Sequence, residues 1–245
     1  MSSRDEEQSA AVLAARPVEA DDPSLDSVGK RLAAWTNMIV VDHGFIRLAH
    51  LNLHRVGRDA WRSAQPAPHH IARVARLGVR TVVSLRGGRR FGSYPLEVEA
   101  CRAHGIAFEE ITLRSRDAPK RQTLAEVAAL LDRIAYPALF HCKAGADRAG
   151  LMSALYLLLR EGASVERAQA QLSWRFLHVR QGPTGVLDAF LEMYAQADAR
   201  HRAETGEPLD FLTWSQTEYN RKTLQKSFKS NLFGRLIVDR LLARE

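Results

Sequence analysis

From about residue 55 onward, short apolar runs alternate with stretches of helical period. Residues 68–77 place Ile71, Val74 and Leu77 on one face, and Gly78 follows as a stop, so a helix is expected there. Residues 80–85 form a β-branched run and read as a buried strand. Residues 96–104 are helical up to Gly105, and 106–113 read as a strand. Thr123 and Glu126 have capping-box spacing, ahead of Leu124, Val127, Leu130, Leu131 and Ile134 at helical intervals. Residues 137–142 are the next strand. Residues 148–160 are apolar almost all round, which predicts a central buried helix. Further helices are expected at about 164–174, 184–199, 212–228 and 232–243.

Strand–helix alternation of this kind predicts an α/β fold: a central, mostly parallel sheet flanked by helices, with extra helices at the C-terminus. Ligands of such sheets sit beyond the carboxyl ends of the strands, where Cys142 is placed. Residues 1–28 are polar and acidic and are expected to be a mobile tail. A domain at 29–199 and a helical extension at 200–245 complete the division. In the extension, Phe228, Leu232, Phe233, Leu236, Ile237, Leu241 and Leu242 make an amphipathic pattern. Packing on the core is the expected use, with weak contact to a partner or a membrane surface as the alternative.

The stretch 137–152 carries the chemistry. It runs from an apolar strand into His141-Cys142, through a five-residue loop to Arg148, and into a helix. A loop of that length can curl so that its backbone N–H groups point inward, and such a nest binds a tetrahedral oxyanion at the positive end of the following helix. The same field favours thiolate over thiol, which makes Cys142 a candidate nucleophile. Arg148 supplies a planar fork that matches two phosphate oxygens.

These residues resemble the signature loop of the cysteine-dependent protein tyrosine and dual-specificity phosphatases, His-Cys-x-x-Gly-x-x-Arg, at His141, Cys142, Gly145 and Arg148. The resemblance extends more weakly over 55–195, where runs at 61–66 and 178–182 look like those of bacterial dual-specificity-like members. It implies a phosphatase-like fold and a phosphomonoesterase with a cysteinyl-phosphate intermediate, without metal or other cofactor. Lys143, Ala144, Gly145, Ala146, Asp147 and Arg148 would bind phosphate, and His141 would orient the loop. The family places its general acid, an Asp, on a loop before the signature. Asp117, 25 residues ahead of Cys142, matches best, with a solvated turn aspartate as the plain alternative. Glu109 and Glu110 fit less well because they fall inside a strand. At Ala149 the chain departs from the family's Ser or Thr, and slower breakdown of the intermediate is expected.

Composition adds bounds. The chain has 245 residues, 46% hydrophobic and 26% charged, as an ordinary globule with a core has. Two cysteines, Cys101 and Cys142, make no disulfide framework and fit a reducing compartment. No signal segment and no run of membrane-spanning length is read, so a cytoplasmic protein is expected. The net charge of +7 is uneven: residues 1–26 hold seven acids against two arginines, a net of −5. A basic surface suits phosphorylated partners, either proteins or small molecules, and no nucleic-acid motif accompanies it. Arg62, Arg86, Arg89, Arg90, Arg114, Arg116 and Arg180 are candidates to recruit substrate, and Gln181 is a weak candidate to position water. Lys143 resembles phosphoinositide-phosphatase loops, but Ala146 and Asp147 occupy the region where those loops carry a second lysine. A phosphate-binding pseudophosphatase, inositol phosphate substrates and sulfur transfer are the competing readings, the last disfavoured by the loop length.

Overall fold

A computed structural model of the protein describes residues 24–229. Five strands form one sheet in the order β1-β2-β5-β3-β4. They are β1 (His54–Arg55), β2 (Ala60–Ala64), β3 (Thr81–Ser84), β4 (Ala107–Glu110) and β5 (Ala138–Cys142). Only β1 and β2 pair antiparallel; β2, β5, β3 and β4 run parallel. Strand β5 lies centrally, with Ala64 beside Cys142 and Ser84 beside His141. Every residue of β5 is buried, as a parallel strand covered on both faces requires.

The side chains of β5 alternate between two cores. Leu139 packs with Ile71 and Val74 of α3 (Pro68–Arg76) and with Cys101 of α4 (Ser93–Ala103). Phe140 faces the larger core, built from α5 (Arg121–Arg133), α6 (Asp147–Arg160), α7 (Val165–Gln169), α8 (Val186–Thr205) and α9 (Phe211–Thr217). Two N-terminal helices, α1 (Val28–Thr36) and α2 (Phe45–Ala49), flank a π-helical turn, Asn37–Val41, and Ala34 and Met38 pack on Leu96 of α4. The sequence pattern had shown no element in this stretch.

The mostly parallel sheet with flanking helices agrees with the sequence reading, and several local expectations change. Thr123 is not a cap: α5 starts at Arg121 behind Lys120, and Glu126 accepts a hydrogen bond from Gln122 instead. Leu77 falls just past α3 and is exposed, while Gly78 adopts a positive φ of 79° that ends the helix. The strand expected at 106–113 is ordered as β4 only as far as Glu110. The helix expected at 164–174 is the five-residue α7, followed by a single 3-10 turn, Trp174–Phe176. That expected at 212–228 breaks at 218–220, and residues 221–229 resume as a helix. The extension packs on the large core through Trp214, Tyr219 and Leu224. The helix expected at 232–243 and most of the tail expected at 1–28 lie outside the described residues; Ser27 caps α1. No described helix is long and apolar enough to cross a membrane.

Candidate active site

The loop between β5 and α6 is shaped by where its carbonyls go. Lys143 O accepts from the backbone N–H of Gln65 at 3.4 Å. Ala144 O accepts from Asn52 Nδ2 at 3.1 Å, and Gly145 O and Ala146 O both accept from Arg62 Nη2 at 2.8 Å. Four successive carbonyls thus turn outward onto the scaffold. In a planar trans peptide the N–H points opposite to the C=O, so the amides of Ala144, Gly145, Ala146 and Asp147 face the other side. That side is a nest of donors, with Cys142 at the end of β5 and the N-terminus of the 14-residue α6 beside it. Gly145 makes the turn at a φ of 73°, and a Cβ there would lie 2.5 Å from the backbone nitrogen of Ala64. Arg148, in the first turn of α6, lines the adjoining cavity and makes no ion pair among the described residues.

Arg62 corrects an expectation. It is fully buried, stacked 4.1 Å over the Phe176 ring, and its Nη1 donates to Gln171 O at 2.6 Å. It recruits no substrate; it is the pillar behind the loop. Burial pushes its pKa down to about 10, which leaves it a cation at neutral pH. Asn52, at a φ of 50°, uses the same amide nitrogen to hold Phe176 O at 3.2 Å.

A second buried network reaches the signature from the N-terminal segment. Asp42, fully buried, accepts from Arg47 at 2.7 Å, from Arg86 Nη1 at 2.6 Å and Nη2, and from Ser93 Oγ at 3.1 Å. Lys143 Nζ lies 3.4 Å from it. Burial opposes its ionisation, yet the hydrogen bonds from Arg86 and Arg47 hold the carboxyl well below the usual carboxylate range. Arg86 also donates to Gln65 Oε1 at 2.6 Å, and Gln65 Nε2 donates to Glu97 Oε2 at 2.8 Å. Glu97 Oε1 stands 2.8 Å from His141 Nε2, with both side chains fully buried. The chain of contacts runs from Asp42 to His141, the residue before Cys142. Arg86 is therefore a structural cation rather than a free recruiter.

The third support is His178. Its Nδ1 meets Asp147 and its Nε2 meets Asp188, each at 2.7 Å. Burial pushes the imidazole down, but the two carboxylates lift it to about 9, so it stands between them as a cation. Asp147, the last loop residue before Arg148, is thereby tied to α8.

The mouth is a cavity of about 640 Å³ lined by the turn 86–91, Glu110, Ile111, Thr112, Lys143 and Arg148. Arg89 meets Glu110 at 2.6 Å, and Arg90 lies 5.0 Å from the Phe91 ring. Asp117 lines a neighbouring cavity of about 240 Å³ with Arg114 and Leu151, and Thr112 borders both. The Asp117 carboxylate accepts from Arg221 Nη2 at 2.6 and 2.5 Å and from Gln225 Nε2. Arg114 stays mostly exposed at 4.0 Å. Arg116 and Gln181 are exposed and line neither cavity; Arg180 pairs with Glu192 at 2.6 Å. Glu109, turned away, pairs with Arg133 at 2.8 Å. The Cys101 thiol is buried, and burial and Glu97 push its ionisation out of reach, as an inert core residue requires. Among the described residues no group of His, Cys, Asp and Glu could hold a metal ion.

The sequence pattern missed Asn52, Asp42, Gln65, Glu97 and the His178–Asp188 pair. One signal was present: Glu97 stands between Leu96 and Val98 on a helix that buries both, so its carboxylate needed a partner.

Dual specificity protein phosphatase TpbA of Pseudomonas aeruginosa strain UCBPP-PA14 is 29% identical over 129 residues, 50% of this chain and 53% of that protein. The chain thus spans about half the length of the curated relatives it matches. A crystal structure of P. aeruginosa TpbA superposes on 64% of this chain and 92% of its own, at 23% identity and a TM-score of 0.46. The core catalytic domain of the PP-IP phosphatase SIW14 from S. cerevisiae covers 66% of this chain and 98% of its own, at 19% identity and a TM-score of 0.48. The family model described as the Swiss Army Knife protein, DSP-PTPase phosphatase domain, matches residues 57–202, and the chain belongs to that family, PTP-SAK.

Proposed function

We propose that the protein hydrolyses phosphomonoesters through a cysteinyl-phosphate intermediate, as a phosphatase of the protein tyrosine and dual-specificity type. The observation that carries this reading is the set of outward carbonyls at 143–146, which leaves a cup of amide donors between Cys142 and Arg148. Phosphate oxygens would sit on the amides of 144–147 and on the Arg148 fork, where charge spreads as the transition state forms. The Cys142 thiolate attacks phosphorus in line. The S–P bond forms as the bond to the leaving oxygen breaks, and that oxygen takes a proton from Asp117. Water then attacks phosphorus, the S–P bond breaks back to thiolate, and Asp117 recovers the proton. Ala149 offers no hydroxyl to the departing sulfur, so the second step is the slower. In this reading residues 29–199 are the phosphatase-like domain and 200–245 an extension of it.

The cavity beside the cup favours acidic phosphorylated substrates, because Arg89, Arg90 and Lys143 line it against one carboxylate, Glu110. Phosphotyrosine or phosphoserine/threonine in an acidic protein context fits, and so does a small polyphosphate such as an inositol phosphate.

The test is turnover of p-nitrophenyl phosphate by the native protein and by Cys142→Ser. The native protein should show a burst of nitrophenolate followed by a slower steady rate, and the variant neither. Phosphate binding with no nitrophenolate released by the native protein would make it a binding module instead.

A further inference from the structure

The C-terminal segment beyond the family match reaches back to Asp117. Residues 221–229 are helical, and Arg221 and Gln225, four apart, share a helix face. Arg221 donates through Nη2 to both Asp117 oxygens and through Nε to Ala118 O at 2.8 Å. Gln225 Nε2 adds a second donor, to Asp117 Oδ1. The next residues are fastened too. Tyr219 Oη donates to Pro119 O at 2.9 Å, and the Arg121 guanidinium donates to Gln216, Thr217 and Tyr219 carbonyls. The anchor is firm, since Tyr219 is 1% exposed and packs 5.1 Å from Phe190. Both oxygens of Asp117 are therefore engaged as acceptors, and the carboxylate lines the side cavity rather than the one that holds Lys143 and Arg148.

A general acid must carry a proton and come within hydrogen-bond reach of the leaving oxygen. The docked Asp117 turns both oxygens to Arg221 and lines the side cavity, away from the one that holds Arg148. We propose that Arg221 and Gln225 are positioning residues that hold Asp117 docked and withheld from the leaving group, and that turnover of substrates with poor leaving groups requires this contact to open. The inference rests on Asp117 being the general acid of the proposed reaction. It gives the extension a task in the chemistry: it sets how readily alkyl and ordinary aryl phosphates, which need the proton, are cleaved relative to activated ones, which do not.

Leaving-group dependence separates these roles. The readout is kcat/KM, which reports the step that expels the leaving group, measured on phenyl phosphate and on 2,4-dinitrophenyl phosphate. Asp117→Asn should lower kcat/KM on phenyl phosphate by about 10²-fold and leave that of the activated ester unchanged. Arg221→Ala should raise kcat/KM on phenyl phosphate by about fivefold, the size expected for losing a part-buried charged contact, with the activated ester unchanged. Gln225→Ala should move the same way by less. It leaves the Arg221 bond to Ala118 intact and carries the test if Arg221→Ala does not fold. In the Asp117→Asn background, Arg221→Ala should change nothing. The latch is overturned if Asp117→Asn behaves as stated while Arg221→Ala and Gln225→Ala lower phenyl phosphate turnover or leave it unchanged. An Asp117→Asn protein that cleaves both esters normally overturns the latch by removing Asp117 from the chemistry and leaves Cys142 in place. A native protein that cleaves neither ester overturns the phosphatase reading, and the latch with it.

Discussion

The cup and the Asp117 loop are built in opposite ways. The cup is fixed from behind by buried groups: Arg62 is fully buried, Asn52 nearly so, and every carbonyl at 143–146 has its donor. The Asp117 loop is fixed from the side by Arg221, a partly exposed residue of a segment outside the family match. Buried polar contacts are costly to break, so a cup built on them resists a change of shape. A part-solvated ion pair costs little to exchange. In the proposed reaction, the part that stabilises charge is preorganised and the part that transfers a proton is held in a contact it can leave.

The largest effect should come from crowding the cup. In Gly145→Ala the new Cβ would meet Ala64 N at 2.5 Å and Ser63 C at 2.6 Å, backbone atoms of the central sheet, at a φ that L residues rarely adopt. The loop must open, and the amides lose their convergence. Turnover of p-nitrophenyl phosphate should fall about 10³-fold or more, with phosphate or vanadate competition lost in parallel. Retention of tight vanadate binding would show that the cup tolerates another shape.

Removing the pillar should cost less activity and more stability. Arg62→Leu leaves the carbonyls of Gly145, Ala146 and Gln171 buried without donors, each worth about 1–3 kcal/mol. We expect a clear fall in melting temperature and a drop in kcat of about 10²-fold, whereas Asp117→Asn lowers kcat/KM on phenyl phosphate with little change in melting. Equal stability losses in the two variants would erase the distinction between a buried and an exchangeable support.

The same distinction decides what the sequence could reveal. The cup is legible because its residues are contiguous: strand, His141-Cys142, Gly145, Arg148 and an apolar helix fall within 16 residues. Its supports are not legible, because Arg62 reaches its loop partners across 83 and 84 positions and Asn52 reaches Ala144 across 92. A lone arginine or asparagine in a chain carries no sign of whether it will be buried beneath a loop 80 residues later. Asp117 could be picked out by its loop and its distance from Cys142, but its clasp comes from 104 and 108 positions away. The N-terminal helices went unseen for another reason: Val28, Leu32, Val40, Phe45 and Ile46 are exposed, so their apolar pattern marks no buried face.

His178 gives the supports a pH signature. Its pKa is lifted to about 9 against an ordinary 6.5, so its contribution to stability is complete below about 6.5 and fades as pH rises through about 9. The shift corresponds to roughly 3 kcal/mol. Denaturant melts should show the native protein losing stability between pH 7 and 9.5. His178→Gln should be less stable at pH 6 and nearly flat across the same window. A native curve as flat as that of the variant would remove the imidazolium from the clamp.

The smallest effect belongs at the rim, where the cationic turn meets solvent. Arg90 is exposed, touches the Phe91 ring and lines the mouth beside Arg148, so it can meet a second anionic group of the substrate without touching the reacting phosphorus. Solvent and salt screen such a charge, which limits its contribution to roughly 1 kcal/mol. Arg90→Ala should therefore lower kcat/KM about three- to fivefold on an acidic phosphopeptide and leave phenyl phosphate unchanged. Raising the salt to about 0.5 M should bring native and variant together, because the Debye length is then shorter than the span of the mouth. An equal loss on both substrates would place Arg90 among the supports of the cup, and a loss that persists in high salt would mean it is bound by packing rather than by charge.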